Sequence, residues 1–262
     1  MTIGVFDSGL GGLTIVATML SHLRGAEIIY IADTANAPYG EKTKKQILDY
    51  SIRITDYLVE HHRIDALVVA CNTATSAAIA ELREKYPHLI IVGTEPGLKP
   101  AISHSVTKKV GVLATPATLE GEKYKALVAM LSDHYHVEVF EQPCPGLVQQ
   151  IEAGEPDSEK TLSMLEGWLA PMRDHHVDTI VLGCTHYPLV KESIQKVMGH
   201  PIIFVDSAEG VTKRLIHLLN EKGFTFEGKT GLSLFATGPI DPSMIESILG
   251  ENFRVSVIHS LN

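Results

Sequence analysis

Asp65-Ala66-Leu67-Val68-Val69-Ala70-Cys71-Asn72-Thr73 returns later in the chain as Asp178-Thr179-Ile180-Val181-Leu182-Gly183-Cys184-Thr185-His186. Each copy runs from an aspartate through an apolar stretch to a cysteine followed by small polar residues. The aspartate-to-cysteine offset, 65 to 71 and 178 to 184, is six residues in both. A histidine pair stands just upstream of each copy, His61-His62 and His175-His176. A short, wholly apolar run bounded by turn residues reads as a strand buried on both faces. A repeated strand that ends in a repeated thiol predicts two related halves, each offering a cysteine to one substrate. Thiols on opposite sides of a substrate suit chemistry on both faces of one carbon.

A second echo lies upstream of each cysteine strand. Thr2-Ile3-Gly4-Val5-Phe6-Asp7-Ser8-Gly9 is similar to Lys109-Val110-Gly111-Val112-Leu113-Ala114-Thr115-Pro116. The order of a Gly-Val strand and then a cysteine strand therefore occurs twice. Further apolar, β-branched runs at 27–32, 89–92, 137–140 and 202–205 complete eight predicted strands with 2–6, 66–70, 109–113 and 179–182. Helical patterns fall between them, notably at 43–61, 74–85, 158–175 and 208–221. This alternation predicts an α/β protein of two pseudo-symmetric, doubly wound domains with mostly parallel sheets and the active site in the cleft between them. Punctuation at Pro96, Gly97 and Pro100 places the division near there. The expected first domain is 1–95 plus 207–262, the tail beginning with a long helix and returning to it; the second is 96–206.

Bulk properties narrow the function classes. The chain has 262 residues, 45% hydrophobic and 20% charged, with a single Trp, so its core is mainly aliphatic. A formal net charge of −9 argues against nucleic-acid or membrane-surface binding, which need basic faces. The opening residues carry neither a basic segment nor a long apolar one, so no signal peptide is expected. Three cysteines, Cys71, Cys144 and Cys184, do not form a secreted disulfide framework. A cytoplasmic protein with reduced thiols is expected.

Ligands of open α/β sheets bind beyond the carboxyl ends of strands. Asp7-Ser8, Asp33, Cys71-Asn72-Thr73 and Cys184-Thr185-His186 all fall there. Each cysteine is expected to be the last residue of a strand or the first of a turn into a helix, whose N-terminus favours thiolate. Asn72, Thr73 and Thr185 can cap that helix or donate to a carboxylate. Asp7-Ser8-Gly9-Leu10-Gly11-Gly12 is a glycine-rich loop without the spacing of a dinucleotide or P-loop motif. His186 lies two residues past Cys184, close enough to exchange a proton with it. A metal site is disfavoured, because neither Cys-x-x-Cys nor His-x-x-x-His spacing occurs. Cys144, in Gln142-Pro143-Cys144-Pro145-Gly146, has no counterpart in the first half and reads as a buried small hydrophobe. Asp33 reads as a cap, and Tyr39 in the Ala37-Pro38-Tyr39-Gly40 turn as packing.

On Asp7-Ser8-Gly9-x-Gly11-Gly12, Pro38-Tyr39-Gly40, Cys71-Asn72-Thr73-Ala74 and Gly183-Cys184-Thr185-His186-Tyr187-Pro188, the sequence resembles the glutamate racemases of the cofactor-independent amino-acid racemase superfamily. The resemblance implies that Cys71 and Cys184 are the two catalytic acid/base groups. It implies that Asp7 assists Cys71, that His186 assists Cys184, and that Glu152 is the acidic residue near the second thiol. Asp7, Ser8, Tyr39, Gly40, Asn72, Thr73, Thr185 and His186 would contact substrate. It further implies no cofactor, glutamate as substrate, D-glutamate supply for peptidoglycan, and a homodimer. Asn36, where many relatives carry Arg, and Thr94-Glu95-Pro96 depart from the family pattern without touching the bases. An aspartate racemase or a related cis–trans isomerase, a two-lobed binding protein without catalysis and a thiol redox protein are the competing readings. The last requires cysteines whose Cα atoms lie within about 7 Å, too close for a substrate between them.

Overall fold

The computed structural model describes residues 1–250 and 253–258. The chain forms two compact units, Met1–Thr94 with Ala208–Asn262, and Glu95–Ser207. The first contains β1 (Thr2–Asp7), α1 (Leu13–His22), β2 (Glu27–Ala32), α2 (Lys44–His62), β3 (Ala66–Val69), α3 (Asn72–Lys85) and β4 (Ile90–Gly93). The second contains α4 (Leu98–His104), β5 (Lys109–Ala114), α5 (Pro116–Leu119), α6 (Glu122–Tyr135), β6 (Glu138–Pro143), α7 (Leu147–Glu152), α8 (Glu159–Asp174), β7 (Thr179–Gly183), α9 (Lys191–Met198) and β8 (Ile203–Val205). The chain then re-enters the first unit with α10 (Ala208–Glu221), β9 (Gly231–Ala236), α11 (Pro242–Leu249) and β10 (Val255–Val257).

Strand order is β10-β9-β2-β1-β3-β4 in the first unit and β6-β5-β7-β8 in the second, so β2-β1-β3-β4 has the order of β6-β5-β7-β8. Every strand pairing among the described residues is parallel. The duplication extends to register. Gly4 lies beside Leu67 and Val5 beside Val68; Gly111 lies beside Ile180 and Val112 beside Val181. In both units the Gly-Val strand therefore meets the cysteine strand at the second and third residues after its aspartate.

Each repeated residue has a structural cause. A Cβ on Gly4 would stand 2.9 Å from Ile64 Cδ1 and 3.0 Å from Leu58 Cδ1, and one on Gly111 2.7 Å from Met172 Sδ. The helix preceding each cysteine strand thus packs against bare backbone. The histidine pairs terminate those helices: His61 Nδ1 meets the Tyr57 carbonyl at 3.2 Å and His175 Nδ1 the Pro171 carbonyl at 2.8 Å. Each ring adds a contact to a carbonyl of the last turns, and the Pro171 carbonyl also accepts the His175 N–H at 3.1 Å. The aspartates anchor the chain entering the Gly-Val strand. Asp65 accepts from the Thr2 N–H at 2.8 Å. Asp178 accepts from the Val106 and Thr107 N–H groups at 2.8 Å each and from Ser105 Oγ at 2.7 Å.

Burial raises the Asp178 carboxyl's pKa, but the donors at Ser105, Thr107, Thr179 and Val106 outweigh it, and the net shift is downward. A carboxylate depressed below its unfolded value stabilises the fold above that value, about 3.9. The contribution is lost as pH falls through the lower folded value. Asp178→Ala is expected to cost about 1–2 kcal/mol near pH 7. The deficit should shrink below about pH 4, where wild type loses the same contribution. Urea unfolding at the two pH values measures it; an equal deficit at both would refute the role of the charge.

The two cores are aliphatic. Phe6, Ile54, Leu58, Leu67, Val69 and Leu82 are buried together in the first unit, and Leu98, Val110, Val112, Leu131 and Val181 in the second. In the first unit α2 packs on α3, while α10 and α11 both pack on α1. The tail begins with the expected helix and returns to the first unit. It also adds two strands that sequence reading did not predict, β9 and β10, which extend the sheet beyond β2. No helix among the described residues is long and apolar enough to cross a membrane.

Candidate active site

In each unit the cysteine strand and its Gly-Val neighbour sit side by side where strand order reverses, the place at which open α/β sheets bind ligands. In the first unit these carboxyl ends carry Asp7-Ser8 and Cys71. Cys71 is 5% exposed and is the N-cap of α3; its Sγ accepts the Ala74 N–H at 3.4 Å. A negative sulfur there faces the positive end of the helix. Ser8 Oγ lies 3.8 Å from the same sulfur.

Asp7 is fully buried and its carboxylate accepts the Gly12 N–H at 2.8 Å, fastening the glycine-rich loop. A Cβ on Gly12 would stand 2.7 Å from Asp7 Cβ and 2.8 Å from the Tyr30 hydroxyl, so the loop closes only over glycine. Tyr30 Oη donates to the Gly9 carbonyl at 2.7 Å. Asn72 and Thr73 occupy the buried first turn of α3, and Asn72 Nδ2 donates to the Thr94 carbonyl at 3.3 Å. Thr94 is buried, and its hydroxyl donates to the Val69 carbonyl at 2.8 Å.

Tyr39 and Gly40 lie in a short 3-10 turn after the cis Ala37–Pro38 bond. The Tyr39 hydroxyl donates to Asp33 Oδ2 at 2.6 Å. Burial, followed by the adjacent Asp33 carboxylate and the nearby Cys71 and Asp7, raises the phenol far above its ordinary pKa. Tyr39 is therefore neutral, with its proton committed to Asp33. Asp33 is more than the expected cap: its buried carboxylate gathers donors from Tyr39, Asn36 and Thr237.

The second half-site is built differently. Cys184, 8% exposed, follows β7 with its Sγ 3.8 Å from His186 Nδ1. His186 Nε2 meets Glu152 Oε1 at 2.8 Å, joining α7 to the turn after β7. A carboxylate only accepts, so in the neutral ring Nε2 carries the hydrogen and Nδ1 turns its lone pair toward Cys184 and Thr185. Thr185 Oγ1 is 3.4 Å from that nitrogen. The structure thus joins Cys184, Thr185, His186 and Glu152 in one cluster.

Each cysteine opens a turn into a helix, but the two turns differ: Cys71 is itself the N-cap of α3. Residues 184–186 form a turn, Tyr187–Val190 a single 3-10 turn, and α9 begins at Lys191. Pro188 stands in the first turn of that 3-10 segment, where its missing N–H costs no intrahelical hydrogen bond. Cys144 is buried, its sulfur 3.5 Å from the Gln142 carbonyl, and burial raises its thiol's pKa far above the ordinary value. Among the described residues no group of three or more His, Cys, Asp or Glu side chains is arranged to hold a metal ion.

Comparison with known proteins agrees with this architecture. A glutamate racemase from Sulfurovum sp. (strain NBC37-1) is 56% identical over 251 residues, 96% of this chain and 95% of its own. The crystal structure of a glutamate racemase isoform from Bacillus anthracis superposes with a TM-score of 0.86 at 30% identity, covering 98% of this chain and 97% of its own. The glutamate racemase of Francisella tularensis subsp. tularensis SCHU S4, solved in complex with D-glutamate, gives 0.84 at 29% identity, covering 100% and 98%. A sequence model of the Asp/Glu/Hydantoin racemase family matches residues 3–212. With a family match over most of its length and a relative this similar, the chain belongs to the Asp/Glu/Hydantoin racemase family.

Proposed function

We propose that this racemase interconverts L- and D-glutamate by a two-base mechanism without a cofactor, Cys184 serving one face of the α-carbon and Cys71 the other. The observation that carries the reading is the equivalence of the two thiols: each lies just past a strand that meets its own Gly-Val neighbour in the same register. Racemisation removes a proton from one face of a carbon and returns one to the other. A single side chain does not reach both faces of a fixed substrate.

In the L-to-D direction the Cys184 thiolate takes the α-proton and becomes a thiol. The Cys71 thiol then delivers its proton to the opposite face and becomes a thiolate. Reversal uses the same groups in exchanged states, so no redox partner is needed. The electron pair left on the α-carbon is delocalised into the α-carboxylate. Donors of Ser8, Asn72, Thr73 and Thr185 are proposed to bind the substrate and stabilise that charge; each well-placed donor contributes about 10²–10³ in rate. Asp7 supports the Cys71 loop, and His186 with Glu152 exchanges protons with Cys184. Tyr39 and Gly40 complete substrate binding.

The same reading supplies D-glutamate to peptidoglycan synthesis, in the cytoplasm and as a homodimer. The names of the relatives support glutamate as substrate, and the net charge of −9 supports the absence of a nucleic-acid partner. Incubation with L-glutamate in D₂O, with aspartate in parallel and no added cofactor, tests it. The α-proton NMR signal of glutamate and the optical activity should both disappear. Persistence of both in folded protein, or faster loss with aspartate, would overturn the assignment.

A further inference from the structure

We infer that Thr237, in the C-terminal segment, is a positioning residue for substrate binding, acting through Asp33 on the Tyr39-Gly40 turn. It rests on the reading above that this turn binds substrate. Residue 237 lies beyond the family match, which ends at 212.

The register of β9 on β2 sets Ala236 beside Ala32, so Thr237 falls level with Asp33, and the Thr237 N–H donates to the Ala32 carbonyl at 3.0 Å. Its hydroxyl donates to Asp33 Oδ1 at 2.7 Å and accepts the Ala35 N–H at 3.1 Å. Asn36 Nδ2 reaches both carboxylate oxygens, at 3.0 and 3.1 Å, and Tyr39 Oη takes Oδ2 at 2.6 Å. Among the described residues no cation pairs with Asp33. Its charge is held in a fully buried position by two hydroxyls and one amide. A buried carboxylate in this state depends on each donor. Removing one leaves a buried carboxylate oxygen without its donor, so the side chain shifts toward the donors that remain, and this changes the anchor of Tyr39. The Asp33 N–H also donates to the Asp7 carbonyl at 2.9 Å, so the anchor is continuous with the end of β1. Thr237 thus locks the 33–40 segment to a strand that the rest of the site does not contain.

The test compares Thr237→Val, which keeps the shape and removes the hydroxyl, with Thr237→Ser, which keeps the hydroxyl, and with Tyr39→Phe, which removes the phenol from Asp33. Steady-state kinetics for both enantiomers are read well below each variant's unfolding temperature. The valine variant should raise KM for both enantiomers about tenfold, the effect of losing one hydrogen bond to a charged group. Serine should restore KM to within about twofold of wild type. A merely structural role would instead lower the active fraction, and so kcat, at unchanged KM. Raised KM in Tyr39→Phe with normal KM in Thr237→Val overturns the role of Thr237 alone. Normal KM in both overturns it together with the substrate role of the turn.

Discussion

Cys71→Ala and Cys184→Ala should each lose at least about a thousandfold in racemisation, the upper part of the range that a positioned acid or base contributes. Each substitution leaves one face of the α-carbon with no group that carries a proton. The remaining thiol still serves its own face. Each variant should therefore exchange the α-proton of one enantiomer with solvent and return it with retention. With the assignment proposed above, Cys71→Ala exchanges L-glutamate and Cys184→Ala exchanges D-glutamate, both slowly. NMR in D₂O on resolved enantiomers, with optical activity followed in the same tube, separates exchange from inversion. Substantial racemisation by either variant, or exchange of both enantiomers by one, would end the two-base scheme. The folds should survive, since Cys→Ala removes a single atom. At Cys71 the loss of the helix cap adds about 1 kcal/mol, which far-UV circular dichroism and thermal unfolding can monitor.

The residues that made the fold legible are those whose physical role is local or repeated. The strands at 66–69 and 179–183 are buried throughout and, Thr179 aside, carry no polar side chain, because helices cover both faces of a parallel sheet, and that composition reads directly. The Gly-Val echo reads as well, because close packing of a helix on the strand excludes a Cβ at Gly4 and Gly111. β9 and β10 left no such trace. In β9 only Leu234 and Ala236 are buried, and β10 has three residues at the sheet edge, so neither forms a continuous apolar run. Of the candidate site, the strand-end residues were visible as motifs. Glu152 was reached by resemblance, and its contact with His186 spans 34 residues, which no spacing rule encodes. Thr237 lies further still from Asp33 in sequence, and a lone Thr after an unpredicted strand carries no signal. The different course of the chain after Cys184, a turn and a 3-10 segment before α9, is hidden by the likeness of the two cysteine motifs.

His186→Asn should lower kcat/KM by about 10²–10³, and by the same factor in both directions. The equality is required: enantiomers have equal free energy in water, so the ratio of the two kcat/KM values is fixed at unity for every variant. The asymmetry of the two half-sites must therefore appear elsewhere. His186 and Glu152 stand behind Cys184, whereas Cys71 relies on the α3 N-terminus and Ser8. Removing the imidazole raises the barrier of the step in which Cys184 moves the proton and leaves the Cys71 step as it was. With substrate deuterated at the α-carbon, the isotope effect should rise for L-glutamate, whose proton the proposed scheme gives to Cys184. It should fall toward unity for D-glutamate, whose proton that scheme gives to Cys71. Glu152→Gln keeps an acceptor for Nε2 but removes the charge, so it should shift both isotope effects in the same directions by less. The double variant should be little worse than His186→Asn, since Glu152 acts through the ring. Isotope effects that change equally for the two enantiomers would place His186 at substrate binding and not behind Cys184; changes in the reverse sense would exchange the faces assigned to the two thiols.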